Sequence, residues 1–247
     1  MKSIILAAGE GTRLRPLTNE IPKALVSFHG RSLLDYQIET LHSCEINNIV
    51  VVCGYRGDKI LRKDIKLIEN KEYLKTNMLY SLFCAEDEMN SDLIISYGDI
   101  VYSKEILMSL IMSKAPYAIT VDLLWRELWE MRMSDPLMDA ESLKMNDKGY
   151  IVELGKQPES FDDIQGQYMG LIKIAFPFVK KIISFYHSLI EKSDYKQKIL
   201  NMHMTDFLQL SIDAGFPLFG VPVYGGWVEI DSISDLKLPL NGVKWVE

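Results

Sequence analysis

Ile4-Ile5-Leu6-Ala7-Ala8-Gly9-Glu10-Gly11-Thr12-Arg13-Leu14, followed by Ile21-Pro22-Lys23-Ala24-Leu25, is the stretch on which the rest of the chain is read. Ile4 to Ala8 is an apolar run of strand length and predicts a buried strand. Gly9 and Gly11 end it in a loop whose backbone can approach a ligand closely, because glycine has no Cβ. Loop N–H groups and the Thr12 hydroxyl can donate to phosphate oxygens. Arg13 adds a planar fork suited to phosphate, and Lys23 adds a second positive charge. Strand, glycine loop and two cations together make a place for a polyphosphate. The loop is not a P-loop, which ends Gly-Lys-Ser/Thr where this chain has Gly11-Thr12-Arg13. Nor is it a dinucleotide fingerprint, because Leu14 stands where a third glycine is required.

Downstream, strands alternate with helices. Arg31 to Cys44 predicts a helix, with Leu34, Ile38 and Leu41 on one stripe and Ser32 near its start. Asn48 to Cys53 is a β-branched run and predicts a buried parallel strand. Lys66 to Glu69 is a brief strand, and Met78 to Met89 a helix capped by Asn77. Asp92 to Tyr97 is a buried strand ending at Gly98-Asp99. Ser103 to Ser113 is a helix and Ala118 to Leu124 a strand. This order indicates an α/β protein with a doubly wound, mostly parallel, Rossmann-like sheet. Ligands on such sheets sit beyond the carboxyl ends of the strands, where Gly9 and Asp99 both lie.

The second half differs. Ser142 to Met145 and Tyr150 to Leu154 flank the turn Asn146-Asp147-Lys148-Gly149 and predict a hairpin. Gln167 to Ile174 is a strand, Phe178 to Ile190 an amphipathic helix, and Thr205 to Ala214 a helix stopped by Gly215. Phe219 to Val223 and Trp227 to Ile230 are late strands. We expect one domain over residues 1–247. Residues 1–124 would be its nucleotide-binding half. Residues 125–247 would be a small β-rich half that covers the crevice mouth and completes a metal site.

The chain has 247 residues, a formal net charge of −7 and no basic tract. Nucleic acid and anionic membrane are therefore not expected partners. Cys44, Cys53 and Cys84 lack metal-ligand spacing and fit a reducing compartment. No apolar run is long enough to span a bilayer, and the expectation is a cytoplasmic protein. A homodimer is compatible with the sequence.

Several residues have chemistry to offer. Asp99 follows a buried strand and Gly98. Glu229 and Asp231 flank Ile230 on a strand and point the same way. Two carboxylates projecting together suit a solvated face, or a cap in the case of Asp231. Beside a phosphate loop, a shared Mg²⁺ is the favoured reading. Trp125 and Trp129 share a helical face and suit either core packing or an aromatic wall around an ammonium group. Asp139, Glu141 and Tyr168 add acidic and aromatic groups in later segments. None of the four histidines shows metal-ligand spacing, and no Ser/His/Asp arrangement is suggested.

The stretch LAAGEGTRLRPLT followed by IPKAL resembles the signature of nucleotidyltransferases that make nucleoside-diphosphate sugars and CDP-alcohols. Ala24 replaces a second proline found in many members. The resemblance implies that Leu6, Ala7, Ala8, Gly9, Gly11, Thr12, Arg13 and Gly98 hold the nucleotide, with Arg13 and Lys23 neutralising its triphosphate. It implies Mg²⁺ held by Asp99, Glu229 and Asp231. Lys156 matches a Glu-x-x-x-Lys-x-Pro lysine that contacts the acceptor phosphate. In the cytidylyltransferases that Asn77-Met78-Leu79-Tyr80-Ser81 resembles, this segment lies beside the base, which makes Asn77 and Ser81 cytosine contacts. Acceptor pockets in these relatives come from stretches matching Trp125, Trp129, Asp139, Glu141, Tyr168, Gly170 and Trp227. The expectation is a cytidylyltransferase of cell-surface polysaccharide biosynthesis. It would transfer CMP from CTP to a small phosphate or phosphonate bearing an amino or ammonium group, such as phosphocholine, 2-aminoethylphosphonate or phosphoglutamine. The alternatives are a sugar-1-phosphate nucleotidyltransferase and a non-catalytic nucleotide-binding subunit.

Overall fold

The structure is a computed structural model and describes residues 1–192 and 198–239. In chain order the strands of the first half are β1 (Lys2–Ala7), β2 (Ser27–Phe28), β3 (Arg31–Ser32), β4 (Ile49–Cys53), β5 (Lys66–Glu69), β6 (Leu93–Tyr97), β7 (Ile100–Tyr102) and β8 (Tyr117–Asp122). Those of the second half are β9 (Leu143–Met145), β10 (Ile151–Leu154), β11 (Gln167–Ile174), β12 (Phe219–Val223) and β13 (Trp227–Glu229). The helices are α1 (Leu33–Ser43), α2 (Met78–Cys84), α3 (Lys104–Met112), α4 (Trp125–Arg132), α5 (Phe176–Glu191) and α6 (Met204–Asp213).

One seven-stranded sheet, in the order β12-β8-β11-β6-β1-β4-β5, forms the spine. β1 is buried along its whole length and pairs in parallel with β4 and β6. Continuous apolar runs are what a strand covered on both faces needs, and β4 and β6 have them. β11 runs antiparallel to both β6 and β8. Two apolar clusters fill the space on either side of the sheet. Ile5, Val51, Ile94 and Leu171 belong to one, and Ile4, Val50, Ile95 and Ile172 to the other. These residues alternate along their strands, as a sheet with two dry faces requires.

The helix starts follow local chemistry. Ser32 Oγ accepts from Asp35 N–H at 3.0 Å and caps α1, Ser103 caps α3, and Asn77 Oδ1 accepts from Met78 N–H at 2.8 Å at the start of α2. The expected helix over Met78 to Met89 is shorter: α2 ends at Cys84 and a 3₁₀ turn, Glu86–Glu88, follows. The predicted hairpin is β9–β10.

The second half is placed differently from the expectation of a cover over the crevice. β11 and β12 enter the central sheet itself, which their buried apolar residues require. α4, the loop around Asp139 and Glu141, the first half of β11, the start of α6 and β13 reach the mouth. β13 pairs with β7, a strand not anticipated from the sequence, and this pairing brings Glu229 opposite Ile100, next to Asp99.

Candidate active site

The loop after β1 folds back over itself. Gly11 has φ +62° and its carbonyl accepts from Thr18 Oγ1 at 2.8 Å. A Cβ there would lie 2.8 Å from Lys23 Cβ, so glycine lets the loop and Lys23 close together. Leu6, Ala7, Gly9, Gly11, Thr12, Arg13, Lys23, Gly98, Asp99 and Asp231 line a hollow of 260 Å³. It sits at the carboxyl ends of β1 and β6, as a parallel sheet predicts.

Lys23 Nζ donates to Asp99 Oδ2 at 2.6 Å and to an Asp231 oxygen. Burial alone would lower the Lys23 pKa, but the charges of Asp99 and Asp231 more than offset it and raise it. Arg13 reaches Asp231 Oδ2 at 3.2 Å, with its own side chain 64% exposed. Asp99, Glu229 and Asp231 each offer an oxygen within 4.8 Å of the others. Burial first, and then the Asp231 charge, push the Glu229 carboxyl up, against the pull of Arg132. Burial acts the same way on Asp231, but Lys23, Arg13 and Arg132 hold it below its ordinary value. Asp99 Oδ1 is buried without a hydrogen-bond partner. Three convergent carboxylates, one of them with an orphaned oxygen, fit a hard divalent cation of the Mg²⁺ type.

A second hollow, of 320 Å³, opens beside the first and shares Arg13, Met78 and Asp231 with it. Trp129, Asp139, Glu141, Tyr168, Gly170, Trp227 and Glu229 line it. Trp227 is fixed by its Nε1–H, which donates to Asp122 Oδ2 at 2.8 Å. Gly170 has φ +84°, and a Cβ there would lie 2.8 Å from the Tyr97 ring, which packs edge-on against Tyr168. Trp129 Nε1 is buried with no hydrogen-bond partner. Thr205 Oγ1 donates to Glu141 Oε1 at 3.2 Å, while burial pushes the Glu141 carboxyl up. A cation beside Glu141 would oppose that shift.

A third cleft, of 100 Å³, lies between the glycine loop and α2, and Leu6, Ala8, Gly9, Asn77 and Ser81 line it. Ser81 Oγ accepts from Asn70 Nδ2 at 3.0 Å, so its hydroxyl is already oriented. Ala8, expected to hold the nucleotide, lines this cleft and not the 260 Å³ hollow.

Two expected site residues lie elsewhere. Trp125 lines neither the 260 Å³ nor the 320 Å³ hollow. It is 5% exposed, packs against Trp129 and Phe161 with ring centroids 6.0 and 6.1 Å away, and belongs to the core. Lys156 faces a separate surface depression with Leu154, Asp206 and Gln209 and pairs with Glu153 at 2.6 Å. Conversely, Arg132, His203 and Thr205 were not anticipated. Gln167 holds the backbone of Glu141 through both ends of its amide, accepting from the N–H at 3.3 Å and donating to the carbonyl. Arg132 follows Trp125 and Trp129 at i+7 and i+3, a spacing that puts all three on one helix face.

A strand–glycine loop–cation site at the carboxyl edge of a mostly parallel sheet, with carboxylates across from it, defines a nucleotidyltransferase. The chain belongs to the MobA-like NTP transferase domain family, whose model matches residues 3–126. It is 44% identical to the CTP:phosphoglutamine cytidylyltransferase of Campylobacter jejuni, over 98% of this chain and 100% of that protein. It is 28% identical to the 2-aminoethylphosphonate cytidylyltransferase of Lancefieldella rimae, over 95% of this chain and 89% of that one. The solved CTP:phosphocholine cytidylyltransferase of Streptococcus pneumoniae superposes with a TM-score of 0.74 at 24% identity, covering 98% of this chain and 99% of that one, a likeness of fold.

Proposed function

We propose that this protein is a Mg²⁺-dependent cytidylyltransferase whose acceptor is a small phosphorylated molecule with an amino group, of the phosphoglutamine type. An acceptor phosphate oxygen attacks the α-phosphorus of CTP, the bond to the β-phosphate oxygen breaks, and pyrophosphate leaves. The observation that carries the reading is the junction of the 260 Å³ and 320 Å³ hollows at Arg13 and Asp231. The glycine-lined hollow suits a triphosphate. The other offers the Trp129, Tyr168 and Trp227 rings with the Glu141 and Asp139 carboxylates, which suit a cationic nitrogen. The 44% identity over nearly the whole chain to a phosphoglutamine enzyme supports the same acceptor class.

Arg13 and Lys23 stand where charge builds on the phosphates, and Asn77 and Ser81 where the base would rest. Asp99, Glu229 and Asp231 would hold Mg²⁺, which would supply neutralisation of phosphate charge. No general base is required, because an acceptor phosphate is already an oxyanion at neutral pH; positioning and charge neutralisation supply the catalysis. A binding-only subunit is disfavoured because both cations and all three carboxylates are present and converge.

The test is pyrophosphate release over four nucleoside triphosphates and a panel of phosphoglutamine, phosphocholine, 2-aminoethylphosphonate and glucose 1-phosphate. Fastest turnover is expected with CTP and an amino-bearing acceptor. Faster turnover with glucose 1-phosphate would replace this reading by the sugar-1-phosphate one.

A further inference from the structure

Arg132 ends α4 with its side chain fully removed from solvent, although it lines neither hollow. A buried guanidinium persists only where carboxylates replace its water. Three do so here: Glu229 Oε2 at 2.7 Å, Asp235 Oδ1 at 3.4 Å and Asp231 Oδ2 at 3.5 Å. Asp235 is 3% exposed and lies outside both hollows as well. Its other oxygen, Oδ2, accepts from the Asp231 N–H at 2.9 Å, the Ser232 N–H at 2.8 Å and Ser232 Oγ at 3.0 Å. Asp235 thus fixes the backbone of Asp231, while Arg132 fixes the side chains of Asp231 and Glu229. The same guanidinium lies 5.3 Å from the centre of the Trp129 ring, which walls the acceptor hollow.

We propose that Arg132 and Asp235 are positioning residues of the cation site: together they aim the Glu229 and Asp231 carboxylates at a shared divalent ion and tie that aim to the acceptor wall. The proposal rests on the metal-dependent reading given above. Glu229 and Asp231 repel each other unless positive charge lies between them, and the Arg132 guanidinium, bonded to both, supplies it. The planar fork meets the three carboxylates from fixed directions, whereas a lysine ammonium in its place is a compact point charge without that fixed geometry. The ligands alone therefore do not make the site, because the groups behind them set their orientation.

The test titrates Mn²⁺ into the wild-type chain, Arg132→Lys and Asp235→Asn, following the free-ion electron paramagnetic resonance signal, with steady-state kinetics and thermal melting in parallel. Both substitutions keep a polar group of similar size, and Asn at 235 still offers an oxygen to the two backbone N–H groups. Mn²⁺ affinity and kcat are expected to fall by about 10–100-fold in both variants. The KM for CTP is expected to change far less, because the triphosphate loop is untouched. Lower melting temperatures with unchanged Mn²⁺ affinity and unchanged kcat per folded molecule would overturn the proposal and make the pair merely structural. Wild-type chain that binds no Mn²⁺ would overturn the cation site itself, and the positioning role with it.

Discussion

Arg13 and Lys23 carry the same charge in opposite settings, and their substitutions should separate accordingly. The Arg13 side chain is 64% exposed, so Arg13→Ala is expected to leave the melting curve within about 0.5 kcal/mol of wild type while turnover falls about a hundredfold or more. Lys23 holds Asp99 and Asp231 together with its side chain 16% exposed. Lys23→Ala should abolish turnover and also cost about 2 kcal/mol, less than a fully buried pair would. Chemical denaturation beside single-turnover assays distinguishes the two. The paired tryptophans divide in the same manner. Trp125→Leu is expected to lose about 1–3 kcal/mol of stability with the acceptor KM unchanged. Trp129→Leu should raise the acceptor KM by about 3–30-fold, the worth of one cation–π face. The i, i+4 spacing showed that these rings share a face but not what that face meets, because Phe161 and Trp227 arrive from distant sequence. Arg132 was hidden for the same reason: all three of its carboxylate partners come from 97 or more residues downstream.

Elements were legible where their signals are local. Ser32, Asn77 and Ser103 announce helix starts by their own side chains, and the apolar runs of β1, β4 and β6 announce buried strands. β7 is three residues long and is held by β13, more than a hundred residues away, so nothing near it marks it as a strand. The start of β1 shows another long-range anchor. Lys2 is 5% exposed and donates to Glu88 Oε2 at 2.6 Å and Asn90 Oδ1 at 3.1 Å, while Lys66 of β5 pairs with the same glutamate. The hydrogen bond from Lys2, then that from Lys66, holds the Glu88 carboxyl below its ordinary range. A depressed carboxyl stabilises fully above its unfolded pKa and loses that contribution as pH falls through the folded value. Glu88→Gln should therefore unfold more readily than wild type at neutral pH. The gap should close as the solution is acidified below the ordinary carboxylate range, in urea titrations repeated across pH.

Across the whole molecule, the crevice joins groups from both halves: the cations and Asp99 come from the first, Glu229 and Asp231 from the second. Removal of divalent ions with EDTA is expected to abolish turnover, restored by Mg²⁺ or Mn²⁺, and Asp99→Asn should lower turnover with the fold retained. Full activity in EDTA would contradict the cation site. The motif around Gly9 and Gly11 pointed to the glycine-lined hollow because a strand and its loop are contiguous in sequence. The depression that Lys156 faces was not legible, because the segment after β10 is set by pairing with Ser142, which lies before the hairpin. The reversed strand β11 has a consequence for synthesis on the ribosome. It lies between β6 and β8, so no hydrogen bond joins those two strands directly. Until residue 174 has emerged, the nascent sheet is split, with β6 presenting a bare edge on one side of the gap. A chain interrupted after residue 126 would carry the whole glycine loop and yet keep that edge open, exposed to pairing with other nascent chains.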